Sequence, residues 1–180
     1  MKWYYIFGGL WLVQFIIACQ HMIIAGAVAT WFFTRDKSKL GCPIAASTCR
    51  LIRYHLGSVA FGSLIIALVQ LCRLILLYIE KMLRYKKNKM VTYILKCLSC
   101  CLWCFEKFLK FLNRNAYIEI AIHGYGLCKA AQKAFMLIVG NALRIAAINS
   151  VGDFTLFLGK IGVTACTAVI GLLLVELIYV

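Results

Sequence analysis

Residues 3–34, WYYIFGGLWLVQFIIACQHMIIAGAVATWFFT, contain no Lys, Arg, Asp or Glu. About 20 apolar residues are enough to cross the ~30 Å hydrocarbon core of a bilayer. This run therefore spans a membrane with a steep tilt or an internal break. It is too long for the apolar region of a signal peptide, and no clean small-residue cleavage site follows it. Trp3, Tyr4, Tyr5 and Trp11 near one end, with Trp31, Phe32 and Phe33 at the other, read as aromatic belts at the two interfaces. Ala25, Gly26, Ala27 and Ala29 are small, which predicts close approach of neighbouring helices inside a bundle.

The whole chain carries the same signature. Of its 180 residues 64% are hydrophobic and 14% charged, with 20 Lys and Arg against six Asp and Glu, a formal +14. Soluble domains are roughly 45–50% apolar and about 25% charged. An ordinary soluble enzyme is excluded by that contrast, and a disordered basic tail lacks the apolar content. A nucleic-acid binder explains the charge and not the apolar bulk. The single Pro and the absence of low-complexity tracts argue against long linkers. The expectation is an all-α, multi-pass helical membrane protein.

Two further apolar runs follow. Leu56–Cys72, then Arg73 and an apolar turn to Ile79, reads as a span whose Arg73 snorkels toward headgroups. Phe154–Val180 carries Lys160 and Glu176 near its ends, and Gly159, Gly162 and Gly171 favour close packing. The organisation expected is a span at 3–34, a loop at 35–54, a span at 55–79, a basic cytoplasmic or interfacial helical region at 80–153, and a span at 154–180. Within that basic region, Val91–Leu112 places Lys96, Ser99, Lys107, Lys110 and Arg114 near one helical face, the pattern of an amphipathic helix lying in the interface. A fourth spanning helix is the competing reading. A second amphipathic stretch, Lys129–Ala147, is expected to break at Asn149–Asp153 before the last span.

Lys and Arg set orientation. Arg35, Lys37, Lys39, Arg50 and Arg53 lie in the first loop, while Lys81–Lys160 holds thirteen basic residues. The larger set is placed in the cytoplasm and the first loop outside. Cys42 and Cys49 could pair there, although their spacing alone is a weak sign.

Four groups of residues carry possible chemistry. Cys97, Cys100, Cys101 and Cys104 form a helical stripe. Simple burial in the interface, S-palmitoylation beside a basic membrane-lying helix, and a metal site all use such a row; a structural zinc site takes its second pair from a distant loop, and none of the other six cysteines forms a CxxC. Gln14, Gln20 and His21 are the polar residues inside the first span. They either line a substrate or proton path or hydrogen-bond between helices. Gln14 and His21 share a face, with Gln20 about 100° away. Trp11 and Phe15, one turn apart, could hold a quaternary ammonium by cation–π attraction. The run Lys81–Lys89 suits a collar attracted to anionic lipid, and nothing supplies a nucleic-acid reading element. No Ser/His/Asp, HExxH, P-loop or GxGxxG arrangement occurs, so no enzyme activity and no cofactor or metal is expected.

Several stretches resemble the choline transporter-like family. They are Ala18–Lys37 (ACQHMIIAGAVATWFFTRDK), Arg50–Ser63 (RLIRYHLGSVAFGS), Cys100–Lys107 (CCLWCFEK), Leu112–Tyr117 (LNRNAY) and Ala142–Lys160 (ALRIAAINSVGDFTLFLGK). The resemblance covers essentially the whole chain, in order. It implies a multi-pass carrier moving choline, and in some members ethanolamine, across plasma or organelle membranes. The family pattern usually reads Cys-Gln-Gln where this chain has Cys19-Gln20-His21, and a titratable His there either alters proton coupling or is without consequence. Members are several times longer, so this chain resembles an internal to C-terminal part of one. Two functions are expected from that. One is a segment of a choline carrier with Trp11, Gln14, Phe15, Gln20 and His21 as path candidates. The other is a truncated membrane protein that binds a full-length relative, or itself, and regulates it without transporting. The lipid bilayer is a partner in either case.

Overall fold

The computed structural model describes residues 2–84 and 89–179. Tyr85, Lys86, Lys87 and Asn88, four residues of the basic run, lie outside the described residues. The described chain is helical, with no strand among the described residues: α1 (Lys2–Phe33), a 3-10 turn (Lys37–Lys39), α2 (Pro43–Arg50), a π-helical turn (Leu51–His55), α3 (Leu56–Arg84), α4 (Lys89–His123), α5 (Leu127–Gly140) and α6 (Ala142–Tyr179). Three helical stretches are long and apolar enough to cross a membrane: Trp3–Phe33, Pro43–Met82 and Ala142–Leu177.

The chain divides into two compact units, Met1–Phe135 and Met136–Val180. In the first, α1 packs against α2, α3 and α4, and α4 also packs against α3. Ala18, Met22, Leu51, Val59, Ala116, Tyr117, Ile120, Leu127 and Ala130 form the buried core. The small residues of α1 act as expected: Gly26 and Ala27 are buried, and the Ser47 hydroxyl packs over Gly26 while donating to the Ile23 carbonyl at 2.9 Å. The edge-on contact of Trp3 with Tyr78, 5.7 Å between ring centres, joins the start of α1 to the end of α3. The two helices therefore form an antiparallel hairpin.

The loop expected at 35–54 is much shorter than the sequence suggested. Helix resumes at Pro43, whose ring fits the first helical position, and the backbone stays helical through the π turn into α3. Between α1 and α2, Asp36 caps the 3-10 turn through Ser38. Lys37 donates to the Trp31 carbonyl and lies over the Trp31 ring, closing the end of α1. Cys42 and Cys49 are both free and exposed, and not joined.

Helix α4 also departs from expectation. It continues to His123 and ends where Gly124 takes φ +71, donating its N–H to the Ile120 carbonyl at 2.8 Å. That is a left-handed cap, which glycine adopts without penalty. Its buried polar residues are Glu106 and Asn113, which face α3, whereas Lys96, Lys107 and Arg114 are exposed. The Asn113 amide donates to the Gly62 carbonyl at 3.0 Å. The Gln70 amide and Arg73 guanidinium donate to Glu106 at 2.8 and 2.9 Å. Pairing of 62 with 113 and of 70 and 73 with 106 sets α4 antiparallel to α3 and parallel to α1.

In the second unit, α6 is one continuous helix, and the break expected at Asn149–Asp153 is absent. No Pro interrupts that segment, and one Gly in a helix costs only about 1 kcal/mol. The interruption falls at Asn141 instead, whose side-chain amide donates to the Leu137 carbonyl at 3.2 Å. Side chains from Leu143 to Leu177 are exposed along the helix. A Cβ at Gly159, Gly162 or Gly171 would meet open space, so among the described residues the close packing expected of them has no counterpart.

Candidate functional site

Three of the concavities formed by the described residues of α1, α3 and α4 bear on the candidate residues. The first, about 360 Å³, is lined by Gln14, Ile17, Ala18 and His21 of α1, Ile66 of α3, and Lys110, Phe111, Asn113, Arg114 and Tyr117 of α4. Gln14 and His21, two turns apart in sequence, are thus brought together on one wall, as their spacing predicted. Opposite them stand Lys110 and Arg114. Lys110 is neutralised by Glu106 at 2.7 Å, while Arg114 has no acid partner among the described residues. A cation entering here meets an uncompensated positive charge. Two like charges about 4 Å apart repel by about 1 kcal/mol in water and about 4 kcal/mol near a protein surface. The chemistry of this cavity suits a neutral or anionic group.

Tyr117 adds a polar anomaly to the same wall. It is only 2% exposed, and its hydroxyl has no hydrogen-bond partner among the described residues. The hydroxyl lies against α3 at Gly62, where a Cβ would stand 2.5 Å away. Only glycine admits the ring at that approach.

The second cavity, about 620 Å³, is lined by Tyr4, Tyr5, Phe7, Gly8, Gly9, Trp11, Leu12 and Phe15 of α1 with Ala60 of α3. Among the described residues no Lys, Arg, Asp or Glu borders it. The Trp11 indole N–H donates to the Ala60 carbonyl at 3.3 Å, which tilts the ring across the α1–α3 seam. Five aromatic rings around an uncharged hollow fit a bulky cation that is poorly hydrated, because ring faces attract such a charge by about 0.5–2 kcal/mol each.

The third, about 520 Å³, starts at His21 and Arg114 and is otherwise apolar, with Ile24, Val28, Phe32 and Phe33 of α1 facing Ile118 and Ile122 of α4. The sequence candidates therefore separate. Trp11 and Phe15 belong to the aromatic cavity, Gln14 and His21 to the basic one, and Gln20 is exposed and lines none of the three. Sequence reading missed Asn113 and Tyr117. A signal existed: Glu106, Lys110, Asn113 and Tyr117 recur at spacings of four, three and four, the mark of one helical face.

The four cysteines Cys97, Cys100, Cys101 and Cys104 are exposed on α4. Among the described residues no group of three or more His, Cys, Asp or Glu side chains could hold a metal ion. The Cys97 thiol, ahead of desolvation and of Cys100 and Cys104, pushes the Cys101 thiol up from its ordinary value.

Comparison with known proteins gives a consistent result. A family model described as plasma-membrane choline transporter matches residues 1–179. Choline transporter-like protein 1 of Rattus norvegicus is 52% identical over 177 residues, covering 98% of this chain and 27% of the relative. Choline transporter-like protein 2 of Dictyostelium discoideum is 44% identical over 96% of this chain and 28% of its own length. Choline transporter-like protein 5 of Xenopus tropicalis is 48% identical over 92% of this chain and 23% of its own. The chain spans about a quarter of the length of these curated relatives.

Proposed function

Because the chain belongs to the choline transporter-like family, we propose that it forms part of the wall of a membrane carrier for choline or a related organic cation, and that Trp11 and Phe15 border the place where the cation rests. The observation that carries this reading is the aromatic cavity: among the described residues it is lined by no Lys, Arg, Asp or Glu and is bordered by Tyr4, Tyr5, Phe7, Trp11 and Phe15. Choline is a quaternary ammonium with no N–H to donate, so ring faces and shape are its natural recognition elements. The Gln14 and His21 cavity is assigned no cation, since Arg114 opposes one there. Relatives named as choline transporters support the substrate class; the plasma membrane, rather than an organelle, is the location proposed from the family description.

Titration of the purified chain with choline, followed by tryptophan fluorescence, tests the site. Saturable quenching is expected, weakened about 2–30-fold by Trp11→Ala, the equivalent of about 0.5–2 kcal/mol. Trp31→Phe should leave it unchanged. Quenching that persists undiminished in Trp11→Ala rejects this cavity. Uptake of labelled choline by vesicles containing only this chain separately tests whether it transports unaided.

A second reading is favoured by α6. Its apolar side chains are exposed along its length, as expected of a helix that seeks other helices or lipid on every face. In this reading the chain associates with a longer relative or with itself and regulates transport. Co-purification with the longer protein at native expression supports it, and recovery of the chain alone counts against it.

A further inference from the structure

The row Cys97, Cys100, Cys101 and Cys104 has no part in either cavity assigned above, yet its placement is specific. At about 100° per residue, these four and Phe108 fall within roughly 60° of one line along α4, and Glu106 lies about half a turn away. Glu106 is the residue buried against α3. The thiols therefore point away from the bundle, in the same face as the exposed Met90, Ile94 and Phe108. This outer face is apolar, so lipid suits it better than water.

Register gives the depth. Gly62 meets Asn113 and Gln70 meets Glu106 across the α3–α4 contact. Continuing that antiparallel register brings the cysteine segment level with the last turns of α3, where Tyr78 touches Trp3. Trp3, Tyr4 and Tyr5 are exposed there, as is Trp103 in α4, with Lys107 over its ring at 5.3 Å. Exposed Trp and Tyr at one level mark the membrane interface. Basic residues from Lys81 to Lys89 precede the row in the chain, and such clusters sit beside anionic cytoplasmic lipid. Four exposed thiols on an apolar helix face, at interface depth and next to a basic run, meet the geometric needs of a membrane-bound acyltransferase.

We propose that Cys97, Cys100, Cys101 and Cys104 form an S-acylation site that takes long-chain fatty acyl groups from acyl-coenzyme A. Each cysteine sulfur forms a bond to the acyl carbonyl carbon as the thioester bond to coenzyme A breaks, and the cysteine proton ends on the released coenzyme A thiol. No oxidant or metal is involved. The attached chains would lie along the apolar face of α4 and fix the N-terminal half of that helix to one leaflet. The assignment does not depend on choline being the substrate.

The test uses the intact chain expressed in membranes of a eukaryotic host, with free thiols blocked, thioesters cleaved by hydroxylamine, and the released thiols tagged with a maleimide polymer. A hydroxylamine-dependent mass shift of at least one tag is expected. It should vanish when all four residues are changed to Ser and persist when Cys42, Cys49, Cys128 and Cys166 are changed instead. Mass spectrometry of untreated wild-type protein should find an acyl mass on the peptide spanning 97–104, a readout that needs no variant to fold. A wild-type chain with no hydroxylamine-dependent shift overturns the proposal. So does a shift that survives the fourfold change at 97, 100, 101 and 104.

Discussion

Tyr117 and Gly62 show how much one side chain constrains its neighbour. The ring reaches α3 only because Gly62 lacks a Cβ, and the hydroxyl arrives there without a partner. Tyr117→Phe removes an unsatisfied buried group, so thermal unfolding in detergent should show stability unchanged or raised. Gly62→Ala places a methyl against the hydroxyl and should cost about 1–3 kcal/mol, the usual penalty of overpacking. Combining the two should recover most of that loss, since the clashing oxygen is gone. Additive losses would show that the strain lies in the α3 backbone instead. Cys101 offers a second residue-scale test, in chains freed of any thioester. Its thiol is pushed up chiefly by Cys97, so at neutral pH less of it is thiolate and maleimide should label it slowly, accelerating as pH rises past the ordinary thiol range of about 8.5. Cys97→Ser should speed labelling at neutral pH. The contact of Tyr117 with Gly62 was not legible in the sequence, because the two lie more than fifty positions apart, whereas Cys97 and Cys101 are one helical turn apart in the row that the sequence displays. The pairing of Gln14 with His21 was legible, because it depends only on helical period.

At the scale of elements, Glu106 joins α3 and α4. Its side chain is 7% exposed and accepts from Gln70, Arg73 and Lys110. Glu106→Ala strands Gln70 and Arg73 at a buried seam and should destabilise the first unit by about 1–3 kcal/mol. The value should fall near the lower end, since the side chains of Arg73 and Lys110 are 33% and 40% exposed and can turn to water. Glu106→Gln keeps the size and one acceptor oxygen and should lose less. Equal losses for both variants would show that the carboxylate charge, not packing, holds the seam. The amphipathic period of α4 was visible in the sequence, and Lys96, Lys107 and Arg114 of its expected polar face are exposed. Glu106 lay outside that row, and its burial follows from a long-range pairing: a carboxylate flanked by Arg73 and Lys110 can be buried where a lone charge cannot. Likewise Asn149–Asp153 looked like a break because Asn, Ser, Gly and Asp favour turns. Without a Pro to remove a backbone donor, the apolar sequence on both sides carries the helix through.

For the molecule as a whole, hydropathy located the three membrane-crossing runs, and the hairpin fixes how two of them are related. Contact of Trp3 with Tyr78 puts the start of α1 and the end of α3 on one side of the membrane, and the short connection near Cys42 on the other. Lys81 of α3 and Lys96 of α4 then lie on the first side. Arg35, Lys37 and Lys39 oppose them, and Lys37 is already occupied in closing α1. We propose from the positive-inside bias that the side of Lys81 is cytoplasmic, the sequence holding thirteen basic residues from 81 to 160 against five from 35 to 53. Charge counting in the sequence led to the same orientation, and the long-range contacts add which segments share a side. A variant keeping only Cys42, which is exposed, should react with a membrane-impermeant maleimide added outside intact cells, at a rate that permeabilisation barely changes. Labelling that requires permeabilisation would invert the hairpin. It would also place Lys81–Lys89 and the cysteine row on the outer side, beyond the reach of a cytoplasmic acyl-coenzyme A pool. Orientation and modification therefore stand on the same hairpin, and the Cys42 measurement bears on both.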